Sequence, residues 1–203
     1  MELEKVFHTS LIERDKFLSR IFGIFSEKIV EIWCSDERPR RVYKNLGRPT
    51  IKELDKNEKG YTLDFTLKNI ATGKTYATEM KCLLEYGGHQ YLRLKSTEQL
   101  DRLFKNKKAF KMFRALSQDF STYEVKVHKN GKIEKIAING TVLIWGAVDP
   151  TLTDGICKQT GITEILSVEK IINDLINEKN HAYFKLLDKV STWITYLTKN
   201  LKK

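Results

Sequence analysis

Residues 141–148, Thr-Val-Leu-Ile-Trp-Gly-Ala-Val, are the most apolar run of the chain, and no polar alternation interrupts them. A strand with one wet face alternates apolar and polar residues; a strand without alternation has to be covered on both faces. Asp149-Pro150 ends the run. A short helix is then expected over 151–160, with Gly161 as its C-cap, followed by a strand over 162–167. Ser167 is placed to cap a helix over 168–176. Strand, helix, strand in that order implies parallel pairing through a right-handed crossover. The chain is thereby directed to an α/β fold, a central mixed β-sheet flanked by helices.

The antiparallel part of that sheet is expected from residues 60–82. Tyr61, Leu63, Phe65 and Leu67 alternate with Thr62, Asp64 and Thr66; Tyr76, Thr78, Met80 and Cys82 alternate with Thr75, Ala77, Glu79 and Lys81. Period two gives each strand one apolar and one chemical face. Residues 70–73 read as a four-residue hairpin loop, with Gly73 able to take a positive φ. If Asn69 sits opposite Lys74, Asp64 falls opposite Glu79, with Cβ atoms about 4.5–5.5 Å apart. Two carboxylates that close repel each other unless a cation lies between them, and a hard divalent ion suits oxygen ligands. Lys81 shares the face of Glu79. Thr72-Gly73-Lys74-Thr75 is no P-loop, because Lys68 stands where the first glycine is required and no helix follows.

Helical spacing recurs over 11–33, with Leu18, Ile21, Phe22, Phe25, Ile29 and Ile32 as the apolar stripe and Glu27 and Glu31 on its flank. Residues 34–60 are polar and broken by Pro39 and Pro49; Arg38, Arg40, Arg41, Lys44 and Arg48 crowd there around Tyr43, a composition suited to phosphate contacts or to a solvated loop. A third strand is expected over 89–94. One helix is expected over 97–118, burying Leu100, Leu103, Phe104, Phe110, Phe113 and Leu116 and presenting Arg102, Lys105, Lys107, Lys108, Lys111 and Arg114 outward. Strands over 123–128 and 132–138 flank an Asn130-Gly131 turn. The last helix, 179–200, carries Leu186, Leu187, Val190, Trp193, Ile194 and Leu197 on one side, a stripe for packing on the core or on a second subunit.

A chain of 203 residues is expected to form one domain, with its core over 11–176 and the helix of 177–203 appended. Net charge of +10 and a pI near 9.4 suit a polyanionic partner as well as a merely soluble basic protein. The three cysteines and four histidines are scattered, without zinc spacing, and three free thiols suit a cytoplasmic, reducing location. No apolar run is long enough for a membrane span, and the charged N-terminus is unlike a signal peptide.

Asp64 followed by Glu79-Met80-Lys81 resembles the D…(D/E)xK signature of the PD-(D/E)XK nuclease superfamily, without the proline of its name, since Leu63 precedes Asp64. Apolar strand, short helix, Gly-Ile, strand and helix also resemble the C-terminal half of Mrr-type restriction endonuclease domains. The 123–138 hairpin and the arginine-rich segment have no counterpart in that pattern. The resemblance implies a restriction-endonuclease-like core and a Mg²⁺-dependent endonuclease hydrolysing DNA, with Mn²⁺ as a substitute. Asp64 and Glu79 would hold the metal and Lys81 would act beside it as the third catalytic group. Either Glu27 or Glu31 would match the first-helix glutamate of the superfamily, and no motif decides between them. The nucleic-acid contacts would come from Arg40, Arg41, Arg48, Lys105, Lys108 and Lys111; RNA stays open as a substrate, and the resemblance allows a homodimer. The alternative is a non-catalytic nucleic-acid-binding protein of the same fold.

Overall fold

A computed structural model describes residues 11–35, 38–54, 60–83, 85, 90–129 and 131–201. In chain order the elements are α1 (Leu11–Trp33), β1 (Tyr43–Asn45), β2 (Arg48–Glu53), β3 (Tyr61–Thr62), β4 (Phe65–Asn69), β5 (Thr75–Lys81), β6 (Arg93–Leu94), α2 (Thr97–Asn106), α3 (Lys108–Gln118), β7 (Tyr123–Lys129) and β8 (Lys132–Ile136). They continue with β9 (Thr141–Trp145), β10 (Ala147–Val148), α4 (Thr153–Thr160), β11 (Glu164–Ser167), α5 (Val168–Asn177) and α6 (His181–Leu201).

The central sheet runs β1-β4-β5-β9-β11. Its first three strands pair antiparallel, whereas β9 pairs parallel to both β5 and β11. The sheet is therefore mixed, and the apolar run lies inside it. Period two sends Val142 and Ile144 to one face and Leu143 and Trp145 to the other, and all four are buried. The first face packs against Ile29, Val30 and Trp33 of α1, Val168 and Ile171 of α5 and Tyr183 of α6. The second packs against Leu100 and Phe104 of α2, Phe110 and Phe113 of α3 and Ile156 of α4. Gly146 interrupts the run: its N–H bonds back to Lys81 O at 3.2 Å, and β10 then pairs parallel with β6. A Cβ at Gly146 would lie 2.7 Å from the side chain of Tyr91, so the close approach requires glycine there.

A second sheet, β3-β2-β7-β8, is antiparallel throughout. The 123–138 hairpin lies here, so the segment without a counterpart in the resemblance builds a layer of its own. One ribbon joins the two sheets. Its first strand passes from β1 to β2 through Leu46-Gly47, and its second from β3 to β4 through Leu63-Asp64. Gly47 has φ 127°, and a Cβ there would meet His128 O at 2.6 Å, so the corner admits glycine alone.

Several expectations are corrected. The 97–118 segment is two helices, broken at Lys107, which is extended at φ −117°, ψ 122°. The anticipated buried residues are nevertheless the ones that pack. Strand β5 is buried on both faces from Thr75 to Met80, because helices cover both sides of the sheet. Ser167 is the N-cap residue of α5, but its side chain makes no cap hydrogen bond and turns to Gly146 O instead. The stripe on α6 divides. Tyr183 is buried and Leu186 partly so, whereas Leu187, Trp193 and Ile194 stay 42–56% exposed, since the helix outruns the sheet it starts on. Of the expected 89–94 strand, residue 89 lies outside the described residues. Leu92 N–H donates to Leu83 O and Glu85 N–H to Gln90 O, a short antiparallel extension beyond β5. No helix among the described residues is long and apolar enough to cross a membrane.

Candidate active site

The 60–82 hairpin has the offset that its loop length predicts. Asn69 N–H donates to Lys74 O, Gly73 takes φ 70°, and the ladder pairs Lys68 with Thr75 and Phe65 with Thr78. The same offset carries Asp64 to the level of Glu79. The ladder itself stops one pair earlier, because the chain bends at Asp64 into the second sheet, where Leu63 N–H bonds to Pro49 O. Beyond Thr78, strand β5 has thus lost its antiparallel neighbour, and the Met80 N–H would be left without an acceptor. The Asp64 carboxylate supplies one: Met80 N–H donates to Oδ2 at 2.8 Å. Arg48 Nη2 donates to Oδ1 at 3.1 Å from the facing strand. The backbone N–H and the guanidinium hold both carboxylate oxygens in place.

Glu79 sits beside that corner with 7% of its surface exposed, and its Oε2 has no hydrogen-bond partner among the described residues. Burial, and after it the negative charge of Asp64, raise its carboxyl to about 9; Lys81 and Arg48 act in the opposite direction. Lys81, two residues on and on the same face of β5, is half-buried. Among the described residues no hydrogen bond or ion pair holds its ammonium. The two glutamates of α1 differ. Glu27 is half-buried, and its carboxyl is raised first by burial and then by Asp64, which places it within electrostatic reach of the corner. Glu31 is exposed and pairs with Lys28 at 2.7 Å.

The donors at the corner are hard carboxylate oxygens, one of them buried and unpaired among the described residues, in a place where added negative charge is already disfavoured. That chemistry fits a hard divalent cation held by Asp64 and Glu79, with Glu27 near. Among the described residues no three histidine, cysteine or carboxylate groups converge closely enough to cage an ion by themselves. A magnesium-type site commonly uses only one or two carboxylates and completes its shell with water and substrate phosphate.

The expected phosphate-binding residues scatter. Arg48 belongs to the corner through its pair with Asp64, a link that sequence spacing did not show. Arg40 is exposed and Arg41 half-buried with its own partners. Arg38 is not a surface contact: at 5% exposure it stacks over Trp33, 4.9 Å from the ring centre, and pairs with Glu178 at 2.8 Å and Asp174 at 3.2 Å. Lys105, Lys108 and Lys111 lie exposed around the break between α2 and α3, and no hydrogen bond or ion pair among the described residues ties them to Asp64 or Glu79. The alternation of Glu124, Lys126 and His128 with Val125 and Val127 gives β7 a polar face that carries basic groups. Comparison with protein-family models, with curated proteins and with solved structures gives no match for this chain.

Proposed function

We propose that this protein is a divalent-metal-dependent nuclease that hydrolyses phosphodiester bonds of DNA, with a restriction-endonuclease-like site at the corner of the two sheets. The observation that carries the reading is the buried Glu79 carboxylate, with one oxygen unpaired among the described residues, beside Asp64 and two residues before Lys81, whose ammonium no described residue pairs. Asp64 and Glu79 would hold the cation, which when bound lowers the pKa of a water and offsets charge on the phosphate. The chain's own groups do the rest. The Met80 N–H fixes the orientation of Asp64, and Arg48 balances its charge in the resting state. Lys81 brings a compact ammonium to the same strand face, where it stabilises negative charge as it builds on the phosphoryl oxygens. No covalent intermediate is required.

Cleavage of supercoiled plasmid and of a matching RNA in Mg²⁺ or Mn²⁺ tests this, with binding measured separately in Ca²⁺. Lys81→Ala should bind as the parent does and cleave on the order of 10²-fold more slowly, the scale set by one preorganised electrostatic group. Equal cleavage by parent and variant would remove the chemistry from this hairpin. The rival is a non-catalytic nucleic-acid-binding protein of the same fold. Tight binding by a parent that never nicks either substrate would establish it.

A further inference from the structure

We propose that the outward face of the β3-β2-β7-β8 sheet is the docking surface for the phosphodiester backbone of a nucleic acid, and that it delivers the strand to the Asp64 corner. The proposal deepens the nuclease reading by naming the surface that serves its site. Pairing defines the face. Arg48 lies opposite His128, Thr50 opposite Lys126 and Lys52 opposite Glu124; on the far side Lys126 lies opposite Lys135, and on the near side Thr50 lies opposite Thr62. Pro49, Ile51, Val125 and Val127 point the other way and are buried. On the outward side Arg48, Lys126, His128 and Lys135 are exposed, with Thr50, Lys52 and Glu124 half-buried between them, on a layer anchored beneath.

The chemistry of the face is that of a phosphate reader. Arg48, Lys126 and Lys135 have side chains 47–66% exposed. The one carboxylate in these pairs, Glu124, is held between Lys126 at 2.8 Å and Lys135 at 2.9 Å, so it spaces the two lysines. Thr50 Oγ1 lies 3.2 Å from Thr62 Oγ1 and 3.1 Å from His128 Nε2, a row of hydroxyl and imidazole groups of the kind that contacts phosphate oxygens. Strand geometry sets these groups on a grid of about 4.8 Å across and about 6.6 Å along, a lattice of cations and donors rather than an isolated charge. Exposed lysines on any surface can be merely solvated. What separates this face is continuity: Arg48 stands on it and also donates to Asp64 Oδ1 at 3.1 Å. A backbone lying across β7 and β2 is led to the carboxylates.

Fluorescence anisotropy of the full chain with a labelled DNA duplex, and with an RNA duplex of the same sequence, over a salt series in EDTA tests the surface. Lys126→Gln with Lys135→Gln should flatten the slope of log affinity against log salt by about 2 and weaken binding roughly tenfold or more at low salt. Lys170→Gln with Lys185→Gln, exposed lysines of α5 and α6, should leave both unchanged. Loss with one duplex alone identifies the sugar chemistry of the ligand. Unchanged slope and affinity in the double variant, or a parent that binds neither duplex, overturns the proposal. The nuclease reading fails separately. A parent that cleaves while the double variant binds normally sinks only the surface, whereas loss of binding in the double variant from a parent that never cleaves sinks only the chemistry.

Discussion

Replacing Glu79 by glutamine in metal-free buffer should make this protein more stable at neutral pH, by an amount that grows with pH. Glu79 is 7% exposed, with an oxygen unpaired among the described residues, and burial followed by the charge of Asp64 raises its carboxyl from 4.5 to about 9. Below 4.5 the native and unfolded chains both hold the proton, and the group contributes nothing that varies with pH. Above 4.5 the unfolded chain releases its proton while the native chain keeps it, so stability falls by about 1.4 kcal/mol per pH unit until the native group also ionises near 9. At pH 7 the accumulated loss is on the order of 3 kcal/mol. Glutamine has the shape of the protonated side chain and no proton to lose, so Glu79→Gln lacks that decline. Against a total stability of about 5–15 kcal/mol the difference is large, and it corresponds to a rise in Tm of roughly 5–10 °C. Titration of groups outside this cluster largely cancels in the comparison of parent with variant. The assay is urea denaturation of both proteins in EDTA from pH 4.5 to 8.5. Parallel stability curves, or a variant less stable than the parent at pH 8, would refute a buried, proton-holding Glu79.

Arg38 and the apolar stripe of α6 differ in structural role from their sequence appearance, and substitutions measure both. Arg38→Ala should cost about 3 kcal/mol in denaturation experiments, because it leaves the largely buried Glu178 carboxylate without its cation, whereas Asp174 keeps the hydrogen bond from Trp33 Nε1, and affinity for DNA should stay as it was. Ile194→Ala should change the stability of the single chain by no more than about 0.5 kcal/mol, since the side chain is 56% exposed, whereas Leu143→Ala should cost about 2–5 kcal/mol. Sedimentation of Ile194→Asp beside the parent tests the homodimer that the nuclease resemblance allows: a shift to the monomer would place α6 in its interface.

The sequence by itself determined the features that depend on a few neighbouring residues. The offset of the β4–β5 hairpin was legible because a four-residue loop with Gly73 leaves little choice of register, and register alone brings Asp64 to the level of Glu79. The unalternating run became β9, covered on both faces, and Gly161 closes α4 in the left-handed conformation, at φ 77°. The Gly131 turn between β7 and β8 likewise depends on a positive φ, here 75°. Tertiary structure decided the rest. The period-two pattern runs through Leu63 and Asp64 without a mark, yet the chain changes sheets there, because the partner strand turns at Gly47 against the backbone of His128, which is 81 residues away. That bend, rather than any motif, gives Asp64 its hydrogen bond to Met80 and its pair with Arg48. Glu27 and Glu31 were equivalent on a helical wheel, and the placement of α1 alone brings Glu27 within electrostatic reach of Asp64. Arg38 matched its exposed arginine neighbours until α5 supplied two carboxylates to bury it. Short-range periodicity encodes which way a side chain points from its own element; what it meets there depends on elements far away in the chain, and only their packing specifies it.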